Sequence, residues 1–442
     1  MPKALDKELL NQETEQPVLH PSVAQKLVVV CGAALGLSCG FGPMFFSVTG
    51  IFLKPMASSF SWGRADVALL PMLGMVGVAV GAPIMGQIAD RVGWRKVIGY
   101  SIFLFSLALL TLAMAPPSRA YLAAVGFAGG VLGAATTAAG YLAILPRVFD
   151  RRFGMALGFG MLGSGLGGVA APILANALIG IMGWRQAYAV LALIALLLGA
   201  FAHQMIFRTL HHIESAPDSV KTRRSLPESI AIGDGLTLSQ ALATYQFWLI
   251  AVVIFLVSCV ILGGYIHLAP FASDKGMSSE YAAKAMALAG LGLAVSRVAI
   301  GAVLDLVFAP LVGLIAFILG AAGFAMLAYA PADIPGLLML SALLLGISTG
   351  TEGDLIPFLA RKYFGQKSFG SIYGTLFGIA TMGGAVGPYV YGLAFDEAKT
   401  YTLIHEVSAL VCGICGLVIL LMGPYRYGRS GAGHCVVDEE TR

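Results

Sequence analysis

Long runs of apolar residues, separated by short polar segments, occupy most of this chain of 442 residues. A helix of about 20 apolar residues is long enough to cross the hydrocarbon core of a bilayer. The predicted spans are residues 26–53, 66–88, 97–115, 120–146, 154–180, 186–207, 245–272, 281–304, 310–330, 335–360, 369–394 and 402–424. A membrane barrel would instead show alternating strands of about ten residues. The pattern therefore predicts an all-α membrane protein with twelve transmembrane helices.

The second half of the chain repeats landmarks of the first half. The recurring pairs are Gly86 and Gly301, Asp90 and Asp305, Phe153 and Phe369, and Gly154 and Gly370. Their spacing is 215 residues for the first two pairs (86 to 301) and 216 residues for the last two (153 to 369). Two similar halves in one membrane chain are typical of secondary transporters, which bind their solute between the halves. We therefore predict two pseudo-symmetric six-helix bundles, at residues 26–207 and 245–424.

The polar segments between the runs predict the orientation of the chain. Segments on the same side as both termini contain 19 of the 27 lysine and arginine residues. Because positively charged loops stay in the cytoplasm, we expect both termini there and the protein in a cell membrane, with a bacterial inner membrane as the expected location. The polar segments include an N-terminal tail (1–25), a cytoplasmic linker (208–244) and a C-terminal tail (425–442). Within the linker, residues 235–243 could form a short interfacial helix.

Composition excludes several classes of protein. Apolar residues form 58% of the chain and charged residues only 11%, whereas soluble domains carry about 25% charged residues. The net charge of +4 is modest and no basic cluster follows any face, which argues against a nucleic-acid partner. No Ser/His/Asp set, metal cluster or phosphate-binding loop appears at a useful spacing, so we expect neither an enzyme nor a cofactor. We expect that a monomer can function alone, because one chain contains both halves.

The loop after the second run carries a recognisable motif. It reads Gly86-Gln87-Ile88-Ala89-Asp90-Arg91-Val92-Gly93-Trp94-Arg95-Lys96. This segment resembles the loop motif of the major facilitator superfamily, with one aromatic residue inserted. The resemblance implies the major facilitator fold, and it implies that Asp90 pairs with basic and helix-end groups across the interface between the halves. Such a pair would hold one access state. Arg151 and Arg152 are the candidate basic partners, and Asp305 is the counterpart of Asp90 in the second half.

Other segments resemble the monocarboxylate porter and oxalate/formate antiporter branch of that superfamily. They are Phe52-Leu53-Lys54-Pro55, Gly183-Trp184-Arg185 and a lone arginine, Arg297, inside the eighth run. Animal monocarboxylate carriers have an aspartate one turn before this arginine and a lysine inside the first helix. Here Leu293 occupies the first position, and Lys54 lies only at the outer end of the first run. The proton pathway of those carriers therefore does not transfer directly.

Arg297 is the strongest candidate for a solute-binding residue. A charged side chain at the centre of a bilayer costs about 2.5–3.5 kcal/mol on insertion scales. Gly290, Ala294 and Gly301 share its helix face and leave space beside the guanidinium. A planar set of donors can bind a carboxylate through two parallel hydrogen bonds. The sequence therefore predicts contact with an anionic solute, and a structural ion pair is the alternative.

Two acidic residues in the tenth run are candidates for proton coupling. Glu352 and Asp354 are two residues apart, so their side chains point about 200° away from each other on a helix. Ser348 and Thr349 make the Glu352 face polar, whereas Asp354 lies above Arg361. We therefore expect Glu352 to pair with Arg297 and Asp354 to form a structural or gating pair. A proton on Glu352 would then release Arg297 to bind a carboxylate, unless the pair is a permanent brace.

Four further side chains have a functional and a structural interpretation. His267, near the outer end of the seventh run, could relay a proton or satisfy a helix end. Tyr141 and Tyr373 could offer hydroxyl groups to the solute or pack inside the protein. Phe45 could contact an aromatic or aliphatic solute or face lipid.

These features together predict a transporter for a small organic anion. The preferred solute is a monocarboxylate, which is taken up together with a proton. An exchanger of two carboxylates and an exporter of drug-like compounds remain alternatives. Arg297, the only basic residue deep in the interior of a predicted span, favours a single carboxylate. Besides the solute, the expected partners are the proton and the lipid bilayer.

Overall fold

The computed structural model describes residues 21–149, 152–214, 235–329 and 335–427. Within these ranges the regular secondary structure is helical, apart from an isolated bridge between Gly235 and Gly365. The twelve long helices among the described residues are α1 (Val23–Ser38, a π-helical turn at Gly42–Ser47, then Val48–Phe60), α2 (Arg64–Val92), α3 (Trp94–Ala113), α4 (Arg119–Gly133, continued by short helical turns at Ala134–Thr136, Ala138–Tyr141 and Leu142–Arg147), α5 and α6 (together Phe153–Glu214), α7 (Tyr245–Asp274), α8 (Ser279–Leu304), α9 (Ala309–Tyr329), α10 (Pro335–Phe364), α11 (Phe369–Ala398) and α12 (Thr402–Val418, continued by Ile419–Met422).

Gly183 divides the long segment Phe153–Glu214 into two membrane spans. A straight helix of 62 residues would be about 93 Å long, three times the thickness of a bilayer core. At Gly183 the backbone has φ 81° and ψ 166°, a conformation open to glycine and strained for other residues. The chain reverses there, so α5 covers residues 153–182 and α6 covers residues 184–214. Eleven helices in the described part of the chain are long and apolar enough to cross a membrane, and this division makes twelve spans, as predicted.

The helices extend beyond the predicted spans at several ends. The N-terminus of α1 is fixed by a capping box in which Ser22 and Gln25 each accept from the backbone N–H of the other. At its other end, α6 continues to residue 214, past the predicted start of the linker. A short helix at Leu238–Leu242 lies inside the segment predicted to form an interfacial helix, and Thr237 and Gln240 cap it. Residues 215–234 of the predicted linker are outside the described residues.

Two helix pairs join the halves, α2 with α11 and α5 with α8. The repeat equates α2 with α8 and α5 with α11, so the two contacts are equivalent. At both, glycines let the backbones touch. A Cβ atom on Gly86 would overlap the backbone of Gly370, and a Cβ atom on Gly158 would overlap the carbonyl oxygen of Arg297. Bulkier residues at these positions would force the halves apart.

The halves meet at one end of the molecule, which we name the Asp90 end because it contains the α2–α3 and α8–α9 loops. Glycine contacts between α5 and α8 occur at Gly154 with Gly301 and at Gly158 with Arg297. Further from this end on α8, nothing lies within 4 Å of the Cβ position of Gly290, which shares the Arg297 face. The glycine contacts between α5 and α8 therefore lie at the Asp90 end, up to the level of Arg297.

Candidate solute site

Arg297 lies in the interior of the protein, on the α8 face that α5 and α10 cover. The residue is 8% exposed, and its Nη1 atom is 3.4 Å from Oδ1 of Asp354, which is fully buried on α10. Removing two charges from water is expensive, and their mutual attraction offsets only part of the cost. A charged pair at this depth is therefore a poor device for stability alone, which makes it a candidate functional site.

The partner of Arg297 differs from the predicted one. Asp354, rather than Glu352, forms the ion pair. Glu352 is also buried, but the hydroxyl of Ser258 on α7 donates to its Oε1 atom. The predicted divergence of the two carboxylates on α10 is present, but the helix is rotated so that Asp354 points to α8 and Glu352 to α7. Asp354 is therefore the paired carboxylate of α10, and the guanidinium of Arg361, further along α10, donates to the carbonyl of Phe149, 2.6 Å away.

Gly353, between the two carboxylates, gives the guanidinium a flat surface of bare backbone. A Cβ atom there would be 3.3 Å from Nη1 of Arg297 and 3.5 Å from Nη2. It would also be 3.4 Å from Cε of Met161, a residue of α5 in the other half. The site therefore brings together α8, α10 and α5, with no side chain between the guanidinium and α10 at residue 353.

Replacing Gly353 by Ala should displace the guanidinium by a few tenths of an ångström. We expect uptake of the transported solute to fall about tenfold, because small errors in position are costly at a binding site. The measurement is initial uptake rate in proteoliposomes. Gly413→Ala on α12 is the matched control, since nothing lies within 4 Å of its Cβ position. Equal rates for both variants would contradict a positioning role for Gly353.

Several polar atoms of the site retain free hydrogen-bonding capacity. Among the described residues, Nε of Arg297, Oδ2 of Asp354 and the hydroxyl of Tyr373 have no hydrogen-bond partner, although all three are buried. Tyr373 lies on α11, close enough for its hydroxyl to interact with both charges. Buried polar groups are normally paired. These donors and acceptors are therefore suited to a polar ligand, and a carboxylate matches the guanidinium and the hydroxyl.

Two other predicted contacts lie elsewhere in the N-terminal half. The ring of Tyr141 packs against Gly36 of α1, in a small space that Cys39 and Thr136 also line. Phe45 stacks on another phenylalanine at 4.8 Å and is 2% exposed, so the lipid-facing interpretation is wrong for this residue. Solute contact by Tyr141 or Phe45 remains a prediction.

His267 lies at the end of the bundle opposite Asp90, where both ring nitrogens have partners. Its Nε2 atom is 3.1 Å from the carbonyl oxygen of Pro388, so this nitrogen carries the proton and donates. Its Nδ1 atom is 3.0 Å from the hydroxyl of Tyr401 and accepts from it when the ring is neutral. The histidine thus ties α7 to α11 and to the loop before α12.

Asp90 and Asp305 each bind the first turn of a helix from the other half. Asp90 accepts from the backbone N–H groups of Gly370 (3.1 Å) and Ser371 (2.7 Å), and from the Ser371 hydroxyl (2.5 Å). Asp305 accepts from the N–H groups of Gly154 (2.8 Å) and Met155 (3.1 Å). The positive end of a helix dipole favours a carboxylate in this position. Two equivalent sets of hydrogen bonds therefore hold the halves together at the Asp90 end.

The basic residues of the loop motif have other surroundings. Arg91, Arg95 and Lys96 are exposed, and the Arg95 carbonyl oxygen is 2.8 Å from Nε2 of His203. Gly93, with φ 89°, makes the one-residue turn between α2 and α3. Among the described residues, the charge of Arg147 acts on Asp90, and this partner was not predicted from the sequence. Of the two predicted partners, Arg151 lies outside the described residues.

Twelve helices in two six-helix bundles, with charged groups buried where the bundles meet, define a membrane transporter rather than an enzyme. The chain belongs to the Major Facilitator Superfamily, whose family model matches residues 35–388. The predicted fold and family are thus confirmed.

The relatives support the predicted branch as well. The chain is 26% identical over 409 residues to monocarboxylate transporter 11 of Homo sapiens, covering 89% of this chain and 82% of that protein. It is 22% identical over 427 residues to monocarboxylate transporter 2 of Mesocricetus auratus, with coverage of 90% and 84%. Among solved structures, a bacterial homologue of the iron transporter ferroportin in an outward-facing state superposes with a TM-score of 0.69 at 15% identity, covering 90% and 99% of the two chains. That likeness concerns the fold alone.

Proposed function

We propose that this protein carries a small monocarboxylate across a cell membrane together with a proton. The observation that carries the proposal is the buried Arg297–Asp354 pair, in which a guanidinium with unused donors faces a carboxylate that a solute carboxylate could replace. The human and hamster relatives are both named monocarboxylate transporters, which supports the same class of solute. The apolar lining supplied by Met161 suits the remainder of a small organic acid.

From the charge bias of the polar segments, we expect the Asp90 end to lie in the cytoplasm. In that orientation, the glycine contacts between the halves lie at the cytoplasmic end of this structure. Alternating access would require the bonds of Asp90 and Asp305 to break as the outer ends of the two bundles approach each other.

The charges of the site suggest how a proton and a carboxylate are coupled. In the empty site, Arg297 and Asp354 neutralise each other. A solute carboxylate bound to Arg297 would add one negative charge, which is costly to move through the membrane. A proton on Asp354 removes that charge and frees the guanidinium for the solute. Because only the neutral states cross at low cost, one proton accompanies one monocarboxylate.

Neutral replacements of the two carboxylates test this coupling. Asp354→Asn imitates the protonated side chain, so we expect uptake that no longer rises as the external pH falls and accumulation at least about tenfold below wild type. The measurement is initial uptake and final accumulation in proteoliposomes at a series of external pH values. Glu352→Gln leaves the Arg297–Asp354 pair in place, and part of the pH dependence should survive. An unchanged pH profile in Asp354→Asn would exclude Asp354 as the coupling group.

The class of solute requires a direct screen. Purified protein in proteoliposomes should take up monocarboxylates in preference to dicarboxylates, because one arginine matches one carboxylate. A pH gradient, acid outside, should drive accumulation. If uptake instead requires a carboxylate solute inside the vesicles and does not respond to the pH gradient, the protein is an exchanger of two carboxylates.

A further inference from the structure

A row of polar residues follows the buried face of α12 in the C-terminal bundle. The row consists of Tyr401, immediately before α12, and of His405, Ser408 and Cys412 within it. Their spacings of four, three and four residues place them on one side of the helix. Each is at most 5% exposed. Polar groups in the interior of a membrane protein are costly unless they have a function. Nothing in the solute site uses this row.

At the end opposite Asp90, the row begins in a cluster of two histidines and two tyrosines, which we name the histidine cluster. His267 of α7 is bonded to the Tyr401 hydroxyl, and the His405 ring stacks on Tyr401 with centroids 5.8 Å apart. The ring of Tyr391, from α11, lies 5.7 Å from His267 and 5.9 Å from His405. The Tyr391 hydroxyl is 2.6 Å from Oγ of Ser408. Three helices and one loop thus converge on this cluster.

From Ser408 the polar groups continue to Glu352 at the level of the solute site. Cys412 is one turn further along α12 than Ser408. Cys412 and Ser348 both lie beside Gly320 of α9. A Cβ atom on Gly320 would be 3.7 Å from Sγ of Cys412 and 2.8 Å from Oγ of Ser348. Ser348 is one turn from Glu352 on α10, and the charge of Glu352 acts on Cys412. Polar atoms therefore extend from the surface near Tyr401 to Glu352.

Unused hydrogen-bonding capacity occurs at both ends of this row. Among the described residues, Nδ1 of His405 and Oγ of Ser348 are buried without a hydrogen-bond partner. The charged groups that act on the cluster come from every neighbouring element. They are Asp274 at the end of α7, Lys275 just after it and Asp396 on α11, while Glu406 of α12 turns outward to the Tyr329 hydroxyl of α9. Charged side chains of these elements therefore border the cluster at the end opposite Asp90.

We propose that the histidine cluster, Ser408, Cys412, Ser348 and Glu352 form a proton route through the C-terminal bundle, separate from the path of the solute. The route rests on the proton coupling proposed above. A proton enters at Nδ1 of His405, and each hydroxyl or thiol accepts one proton as it passes its own to the next group. Glu352 is the final acceptor, so the net change is one proton moved from the surface to the depth of the solute site, where it offsets the charge of a bound solute carboxylate.

Variants that remove one proton carrier and keep its volume test the route. His405→Phe, Tyr391→Phe and Ser408→Ala are compared with wild type in proteoliposomes, with pyruvate or the best monocarboxylate of the screen as the probe. Two rates are measured, uptake driven by a pH gradient and exchange of labelled for unlabelled solute at equal pH, which moves no net proton. Tyr363→Phe is the matched control, because the Tyr363 hydroxyl also bonds a neighbour, the carbonyl of Gly423, but lies at the Asp90 end.

We expect the three route variants to lose at least about tenfold in driven uptake and to keep exchange within about twofold of wild type. The control should keep both rates. Retention of both rates in His405→Phe and Tyr391→Phe would overturn the route. Loss of both rates in variants that remain monodisperse in detergent would also overturn it, by assigning the cluster to structure. A wild-type protein without driven uptake would instead refute the proposed proton coupling itself.

Discussion

Arg297→Ala should reduce monocarboxylate uptake at least about 100-fold. A bidentate guanidinium–carboxylate contact comprises two charge-assisted hydrogen bonds, each worth roughly 1.5–3 kcal/mol, and the alanine variant loses both. It also leaves Asp354 buried without its counter-ion, which raises the cost further. The initial uptake rate of the best monocarboxylate of the screen, measured at saturating and subsaturating concentrations, reports the loss.

Two further variants test whether the loss of uptake is due to the guanidinium group of Arg297. Arg297→Lys keeps the charge but not the planar set of donors, so it should recover only a small part of the activity. Arg185→Ala is the matched control, because Arg185 stacks on Trp184 at 4.2 Å at the outer end of the other half, and uptake should stay within about twofold of wild type. An exporter of apolar compounds would tolerate the loss of Arg297. Retained monocarboxylate uptake in Arg297→Ala would therefore refute the proposed role of this residue.

Removing the charges of Asp90 and Asp305 should open the Asp90 end. Asp90 accepts three hydrogen bonds from the first turn of α11, and Asp305 accepts two from the first turn of α5. An asparagine in either place loses the charge and must turn its amide group toward the N–H donors. For Asp90→Asn we expect a shift of about 2 kcal/mol, or about thirtyfold, toward the conformation open at this end. The double variant should shift further, because the two contacts are equivalent.

Reactivity of a buried position reports this shift. Ala82 is 1% exposed on α2, where it faces Gly374 of α11. In a background without the native cysteines, Ala82→Cys should react slowly with a membrane-impermeant thiol reagent, and much faster when combined with Asp90→Asn. Asp66→Asn is the matched control, because Asp66 pairs with the exposed Arg119 at the opposite end and such surface pairs contribute little. Equal labelling of Ala82→Cys with and without Asp90→Asn would show that these bonds do not hold the end closed.

The linear order of residues determined the fold of this protein in some detail. Apolar runs identified the twelve spans, because a span must be apolar over about 20 residues whatever it packs against. The repeat and the loop motif identified the superfamily and placed Asp90 at the interface between the halves. Even the break between α5 and α6 is local, since it depends on the conformation that Gly183 can adopt.

The partner of Arg297 was decided by the tertiary structure alone. Helical periodicity predicts that the side chains of Glu352 and Asp354 point about 200° apart, but it does not predict which of them faces α8. That rotation is set by how α10 packs on α7 and α8, where Ser258 receives Glu352 and the bare backbone at Gly353 receives the guanidinium. The burial of Phe45 and Tyr141 and the convergence of three helices on the histidine cluster depend on the same packing. A sequence fixes angles within one helix, whereas the angle of a helix relative to its neighbours follows from contacts between residues far apart in the chain.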